Sequence, residues 1–257
     1  MKEIFKCFVH YDGSPFCGWQ IQQNEKTVQG EINTALKKIC KSDDVSTMGA
    51  GRTDAGVHAL EQVFRADIPL EIDPGGLLRA LNANLSGDIR VTKIERSDPS
   101  FHPVRDAQWK EYLYYFDLME NYSPFLRHYV TYFPPKLDIG AMRVGAEKFV
   151  GVHDFMNFYN VGTPVSSTTR EIFSCELISS SLSSPFLTQE REIFCLRVKG
   201  NGFLKQMIRL MVGALVEIGK GRRNSEELLG YFEEKHEEKF GPCAPAQGLY
   251  MAKVGYR

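Results

Sequence analysis

Residues 45–68 read VSTMGAGRTDAGVHALEQVFRADI. Two segments of strand-like composition, 45–51 and 57–68, flank a loop that holds Gly49, Gly51 and Gly56. Outward from this pair lie two helical patterns. TVQGEINTALKKIC (27–40) places apolar residues at 28, 32, 35, 36 and 39, with Thr27 as N-cap. DPGGLLRALNANL (73–85) opens on Asp then Pro, a helix start. Further out, residues 3–11 alternate and end in Asp12-Gly13, and 88–96 alternate again, as strands do. The order is therefore β-α-β-β-α-β.

The same order is expected once more. Residues 97–108 hold two prolines and read as a connection. Strand 109–118 and helix 138–151 follow it. Strands 170–179 and 192–200 come next, joined by the serine-rich loop 180–188. Helix 204–219, a short added helix 225–235 and strand 248–257 complete the chain. The expected fold is α+β. Two ferredoxin-like halves, 1–104 and 105–257, would be related by a pseudo-twofold, with antiparallel sheets, flanking helices and a cleft between them. Element order alone supports this, since no residue repeat is visible.

A chain of 257 residues can bury a full core, and 43% hydrophobic with 25% charged residues is ordinary for a globular protein. The formal net charge of −1 gives no global pull toward nucleic acid, so any such site must be a local patch. Six cysteines, at 7, 17, 40, 175, 195 and 243, form no CxxC and read as reduced thiols of a cytoplasmic protein. The N-terminus alternates, unlike a signal peptide. MIRLMVGALVEI (207–218) is too short and too charged to span a bilayer.

Asp54 is the residue that suggests chemistry. It sits in a glycine-rich loop between strands, with Arg52 two residues before and His58 four after. Such a carboxylate could act as a nucleophile or base; equally, Asp before Ala-Gly is a common turn residue. Arg209 lies in a helix that is apolar on nearly every side, so it should be buried and meet an anion such as Asp54, or else snorkel to solvent. Tyr112 and Tyr114 share one strand face beside Lys110, an arrangement that suits either base stacking or core packing. Residues 198–223 hold six basic groups, Lys205 among them, against the single acid Glu217. That run could track a phosphate backbone or simply be solvated. No HExxH, GxSxG or P-loop occurs, so metal, serine-triad and ATP chemistry are disfavoured.

Eight segments in register resemble the tRNA pseudouridine synthases of the TruA type. They are YDGSPFCGWQ (11–20) with TVQG (27–30), GAGRTDAGVHAL (49–60), ALNANLSGDIRV (80–91), FHP (101–103), KEYLYY (110–115), FVGVHDFMNF (149–158), GNGFLKQMIRLMVGALVEIGKG (200–221) and APAQGLYM (244–251). The resemblance implies isomerisation of uridine to pseudouridine at positions 38, 39 and 40 of the tRNA anticodon stem-loop, without cofactor or metal. It implies Asp54 as the nucleophile and Arg209 as its basic partner. Tyr112 would stack on the target base, Arg52 would take the place of the flipped nucleotide, and Leu249 would form an apolar wall. His58, Lys110 and Lys205 complete the set as expected RNA contacts. A homodimer gripping one tRNA is also implied, with neither membrane nor nucleotide cofactor as partner. One departure stands out: after FHP the family has Arg then an aromatic, and here Val104 precedes Arg105. Two rivals stand beside it: a non-catalytic tRNA-binding module or RNA chaperone using the same sheet, basic patch and aromatics, and a nucleotide hydrolase working through Asp54. The second lacks a phosphate loop and a further acidic metal ligand.

Overall fold

The computed structural model describes residues 2–160, 162, 165–183, 187 and 189–257. In chain order its elements are β1 (Glu3–Tyr11), α1 (Val28–Cys40), β2 (Ser46–Gly49), β3 (His58–Ile68), α2 (Pro74–Asn84), β4 (Ile89–Arg96), β5 (Trp109–Asp117), β6 (Thr131–Tyr132), α3 (Ile139–Glu147), β7 (Gly151–Asp154), β8 (Thr169–Leu182), β9 (Arg191–Gly200), α4 (Met207–Gly219), α5 (Glu227–Glu233) and β10 (Leu249–Gly255). They fall into two units, Met1–Gln108 with Tyr250–Arg257, and Trp109–Leu249.

In the first unit, local chemistry sets the helix ends. The Thr27 hydroxyl accepts from the Gly30 amide at 3.2 Å and caps α1. Asp73 accepts from the amides of Gly75 and Gly76, with Pro74 in the first turn of α2. The strands run β4-β1-β3, with β2 on the far edge of β3, which is the ferredoxin-like order. Antiparallel register sets Phe5 against Ala66 and Cys7 against Phe64. Phe5, Cys7 and Val9 of β1 bury completely, as do Val28, Ile32 and Leu36 of α1 and Leu77 and Leu81 of α2.

The edge of β3 is shared. Strand β2 covers residues 64–67, antiparallel. The start of β10 covers the other end in parallel, Tyr250 opposite His58 and Met251 opposite Ala59. The Gln108 amide donates to the Gly255 carbonyl, and the Tyr256 hydroxyl donates to the Pro103 carbonyl at 2.8 Å. These bonds place residues 250–257 with the first unit, where the sequence pattern put the last strand with the second half. They also move the division from 104/105 to 108/109.

The second unit is a sheet in the order β5-β9-β8-β7, antiparallel throughout, with two-residue β6 parallel to the end of β5. Helix α4 is buried except at Arg209 and Glu217, as its apolar sequence requires. A buried ion pair joins β5 to β9: Arg191 Nε donates to Asp117 Oδ2 at 2.7 Å, and Arg191 Nη2 donates to the Asn121 carbonyl. The helix expected over 138–151 stops at Glu147, and residues 151–154 form the short edge strand β7. Strand β8 runs on to Leu182, into the serine-rich segment read as loop 180–188, of which 184–186 and 188 lie outside the described residues. No helix is long and apolar enough to cross a membrane among the described residues.

Candidate active site

The loop between β2 and β3 is tied down along its length. Leaving β2, the Ala50 amide donates to the Val63 carbonyl at 2.7 Å. The buried Gln62 side chain donates to the Gly51 carbonyl at 2.8 Å. Thr53 is held twice: its hydroxyl bonds the buried Tyr11 hydroxyl at 2.9 Å, and its carbonyl accepts from the Trp19 amide at 3.1 Å. Burial raises the Tyr11 phenol well above its ordinary pKa and outweighs the hydrogen bonds of Thr53 and Gln62, so the group stays neutral. The Asp54 carbonyl then accepts from the Val57 amide, closing a turn with Gly56 at its third position and φ +77°. A type II turn needs that positive φ. The turn reading of Asp54 therefore holds, and its side chain is half-buried on that turn.

Residues 12–19 form the strap over this loop. Gly18 has φ +90°, and a Cβ there would lie 2.5 Å from the Thr53 carbonyl oxygen. At Gly13 a Cβ would lie 2.0 Å from the Val57 oxygen. The opening motif YDGSPFCGWQ is thus a segment whose glycines let its backbone press against the Asp54 loop.

His58 corrects an expectation. It was read as an RNA contact, but it is only 1% exposed. Its Nδ1 accepts from the Gly13 amide at 3.0 Å, and its ring stacks on Tyr250 at 4.6 Å. The Asp12 carboxylate lies 3.2 Å from the same nitrogen. His58 fixes the strap to the loop and has no surface to offer RNA. Arg52, by contrast, is exposed on the same loop.

In the second unit, β5 carries Lys110, Tyr112 and Tyr114. Tyr112 and Tyr114 do share a face, and it is buried more deeply at Tyr114 than at Tyr112. Tyr114 is fully buried, its hydroxyl donating to the Pro245 carbonyl at 2.9 Å and lying 2.8 Å from the Thr131 hydroxyl. Tyr112 is 7% exposed and meets Phe203 edge-on at 5.0 Å. The Lys110 ammonium is brought down to about 8, first by burial and then by the charge of Arg170. Arg209 is half-buried, where full burial was expected. Its Nε donates to the Ala244 carbonyl at 2.7 Å, and the Ala244 amide donates back to the Arg209 carbonyl. The guanidinium therefore meets part of its hydrogen-bonding need on the backbone. Leu249 is buried and Lys205 exposed.

The basic run 198–223 is less bare than its sequence suggests. Glu217 takes both Lys220 at 2.8 Å and Arg222 at 3.3 Å, Arg223 pairs with Glu227, and Lys199 lies over the Trp109 ring at 4.0 Å. Burial raises the Glu217 pKa, but Lys220 and Arg222 together outweigh it and hold the carboxyl below its ordinary value.

Sequence reasoning did not single out Tyr11, Thr53, Gln62 or Trp19, which carry the loop. Their hydrogen bonds span many residues and leave no local pattern. No three His, Cys, Asp or Glu side chains converge as metal ligands among the described residues.

A family model described as tRNA pseudouridine synthase matches residues 7–104 and 146–257. The tRNA pseudouridine synthase A of Geobacillus sp. (strain WCH70) is 38% identical over 256 residues, covering 100% of this chain and 99% of that protein. The protein of the same name from Bacillus pumilus (strain SAFR-032) is 39% identical over 254 residues, covering 98% of each. That of Pseudothermotoga lettingae is 39% identical over 252 residues, covering 98% and 99%. A solved structure of a Cbf5–Nop10–Gar1 complex aligns at TM-score 0.34 and 13% identity, over 83% of this chain and 45% of that one, too loosely to inform the fold. Matched along its length by relatives of its own size, the chain belongs to the tRNA pseudouridine synthase family.

Proposed function

We propose that this chain converts uridine to pseudouridine at positions 38, 39 and 40 of the tRNA anticodon stem-loop, with Asp54 as the nucleophile. The observation that carries the reading is the loop itself. A single carboxylate stands on a turn whose flanking residues are anchored to Tyr11, Trp19 and Gln62. Fixing a nucleophile in this way removes orientational freedom before substrate arrives. The reaction breaks the N1–C1′ bond of the nucleotide and forms C5–C1′; the proton leaves C5 and a proton is gained at N1. Nothing is oxidised and no water is consumed.

The remaining roles follow from chemistry. Arg209 serves as the basic partner of the Asp54 nucleophile. The target base must leave the helix stack, so the exposed Arg52 fills the vacancy and Tyr112 holds the base against the Leu249 wall. Lys110 and Lys205 contact RNA phosphates. A homodimer that grips one tRNA in the cytoplasm completes the reading.

The test uses unmodified tRNA transcripts with wild type and Asp54→Ala, mapping pseudouridine by carbodiimide and primer extension. Stops at 38 to 40 with wild type alone are expected. Stops elsewhere would change the substrate position. Absence of stops, with tight tRNA binding by both proteins, would favour a binding module and refute catalysis.

A further inference from the structure

A cavity of about 670 Å³ lies in the second unit, where the end of α4 meets the starts of α3 and α5. Four cations line it, Lys136, Lys220, Arg222 and Arg223, with Asp138 and Glu227. Its carboxylates are largely spoken for. Asp138 caps α3 by accepting from the Ala141 amide at 2.9 Å. Glu227 accepts from Arg223 and from the Asn224 amide. Glu217, beside the cavity, is shared by Lys220 and Arg222.

The negative end of the α4 dipole accounts for cations just past its C-terminus, at Lys220, Arg222 and Arg223. It does not account for Lys136, which comes from a different segment. Lys136 follows two prolines and holds φ +112°, a strained value for a side-chain-bearing residue. Its ammonium has no ion pair among the described residues, whereas the other three cations each have one. It also lies in the stretch 105–145 that the family model does not match. Four residues earlier, at most about 14 Å along the chain, the exposed ring of Tyr132 stands 6.1 Å from that of exposed Tyr122. Cations within about 14 Å of an exposed aromatic face suit a polynucleotide, which offers both phosphates and bases.

We infer that this cavity is an RNA-phosphate site, in which Lys136 and Arg222 grip the backbone of the tRNA substrate and Tyr122 and Tyr132 offer stacking faces. The inference rests on the proposed tRNA substrate and adds a contact that acts on binding and not on the chemical step.

The test is the double variant Lys136→Gly/Arg222→Ala of the full chain. Glycine relieves the backbone strain while removing the cation, and Lys220 still pairs with Glu217. The dissociation constant for a tRNA transcript is measured between about 50 and 200 mM salt. The variant should bind about 10-fold more weakly, and the slope of log affinity against log salt should fall by about 1 to 2. The melting temperature should not fall, since glycine relieves the strain at 136; the single-turnover rate at saturating tRNA should not change, and Arg222→Glu should weaken binding further. Wild-type affinity and slope in the double variant would overturn the inference while leaving the proposed reaction standing. Weakened tRNA binding by the variant, with no pseudouridine formed even by wild type, would support the site and refute the reaction. If inorganic phosphate stabilises wild type but not the variant, and tRNA binding is unchanged, the cavity belongs to a free anion and the RNA reading falls.

Discussion

Replacing Gly18 by alanine is expected to damage catalysis through a residue that bears no functional group. The backbone at Gly18 has φ +90°, and the added methyl would fall 2.5 Å from the Thr53 carbonyl oxygen. Carbon–oxygen contacts of this kind do not go below 3.0 Å, so something must move by about half an ångström. The atom that moves is backbone, and it already accepts from the Trp19 amide, so that bond lengthens too. A positive φ costs an alanine about 1–2 kcal/mol, and the displaced hydrogen bond adds about 1 kcal/mol. The sum, roughly 2–3 kcal/mol, corresponds to a melting point lower by about 5–10 °C for a protein of this size. Asp54 is the next residue in the chain. Since a misplacement of about 1 Å can cost 10²-fold in rate, half of that should slow single turnover by about 10-fold. Gly87→Ala is the control, because a methyl there meets nothing within 4 Å; it should change stability by less than about 0.5 kcal/mol. Single-turnover pseudouridine formation and thermal denaturation give the two readouts. Wild-type values of both in Gly18→Ala would refute the claim that the strap sets the position of the loop.

Tyr112→Phe keeps the edge-on contact with Phe203 and should slow turnover; full activity would remove the hydroxyl from the mechanism. Lys110 is charged below about pH 8 and loses its proton as pH rises through that value, so tRNA affinity should decline there in wild type. Lys110→Arg should bind evenly across the same range, and identical pH profiles would exclude Lys110 as a phosphate contact. Arg191→Met strands the Asp117 carboxylate in the core and should cost about 3–5 kcal/mol in urea denaturation. The paired change Asp117→Leu with Arg191→Met should recover most of that loss; a paired variant as unstable as the single would show that the cost lies elsewhere.

What could be read from the sequence was local. Thr27 and Asp73 announce helix starts because capping is settled within three residues. The Asp54 loop was visible because its glycines and flanking strands are contiguous. The face shared by Tyr112 and Tyr114 follows from strand alternation, but alternation does not say whether a face is core or site, and Tyr114 proved to be core. His58 could not be read correctly, since the Gly13 amide that occupies its ring comes from another segment. Strand β7 was absorbed into the preceding helix because four residues are too few to show a period. The placement of β10 was illegible for a related reason, since parallel pairing to a strand far back in the chain writes nothing into the composition of either partner.

That pairing has a consequence for how the protein is made. The strand that begins at His58 emerges early from the ribosome, with most of its sheet and both of its helices. The residues that finish its edge, and the tyrosine that stacks on His58, are synthesised only after the whole second unit. Contacts of such sequence separation form late and slowly. A nascent chain therefore carries the Asp54 loop with one end of its supporting strand open, and the half of the enzyme that is started first is completed last.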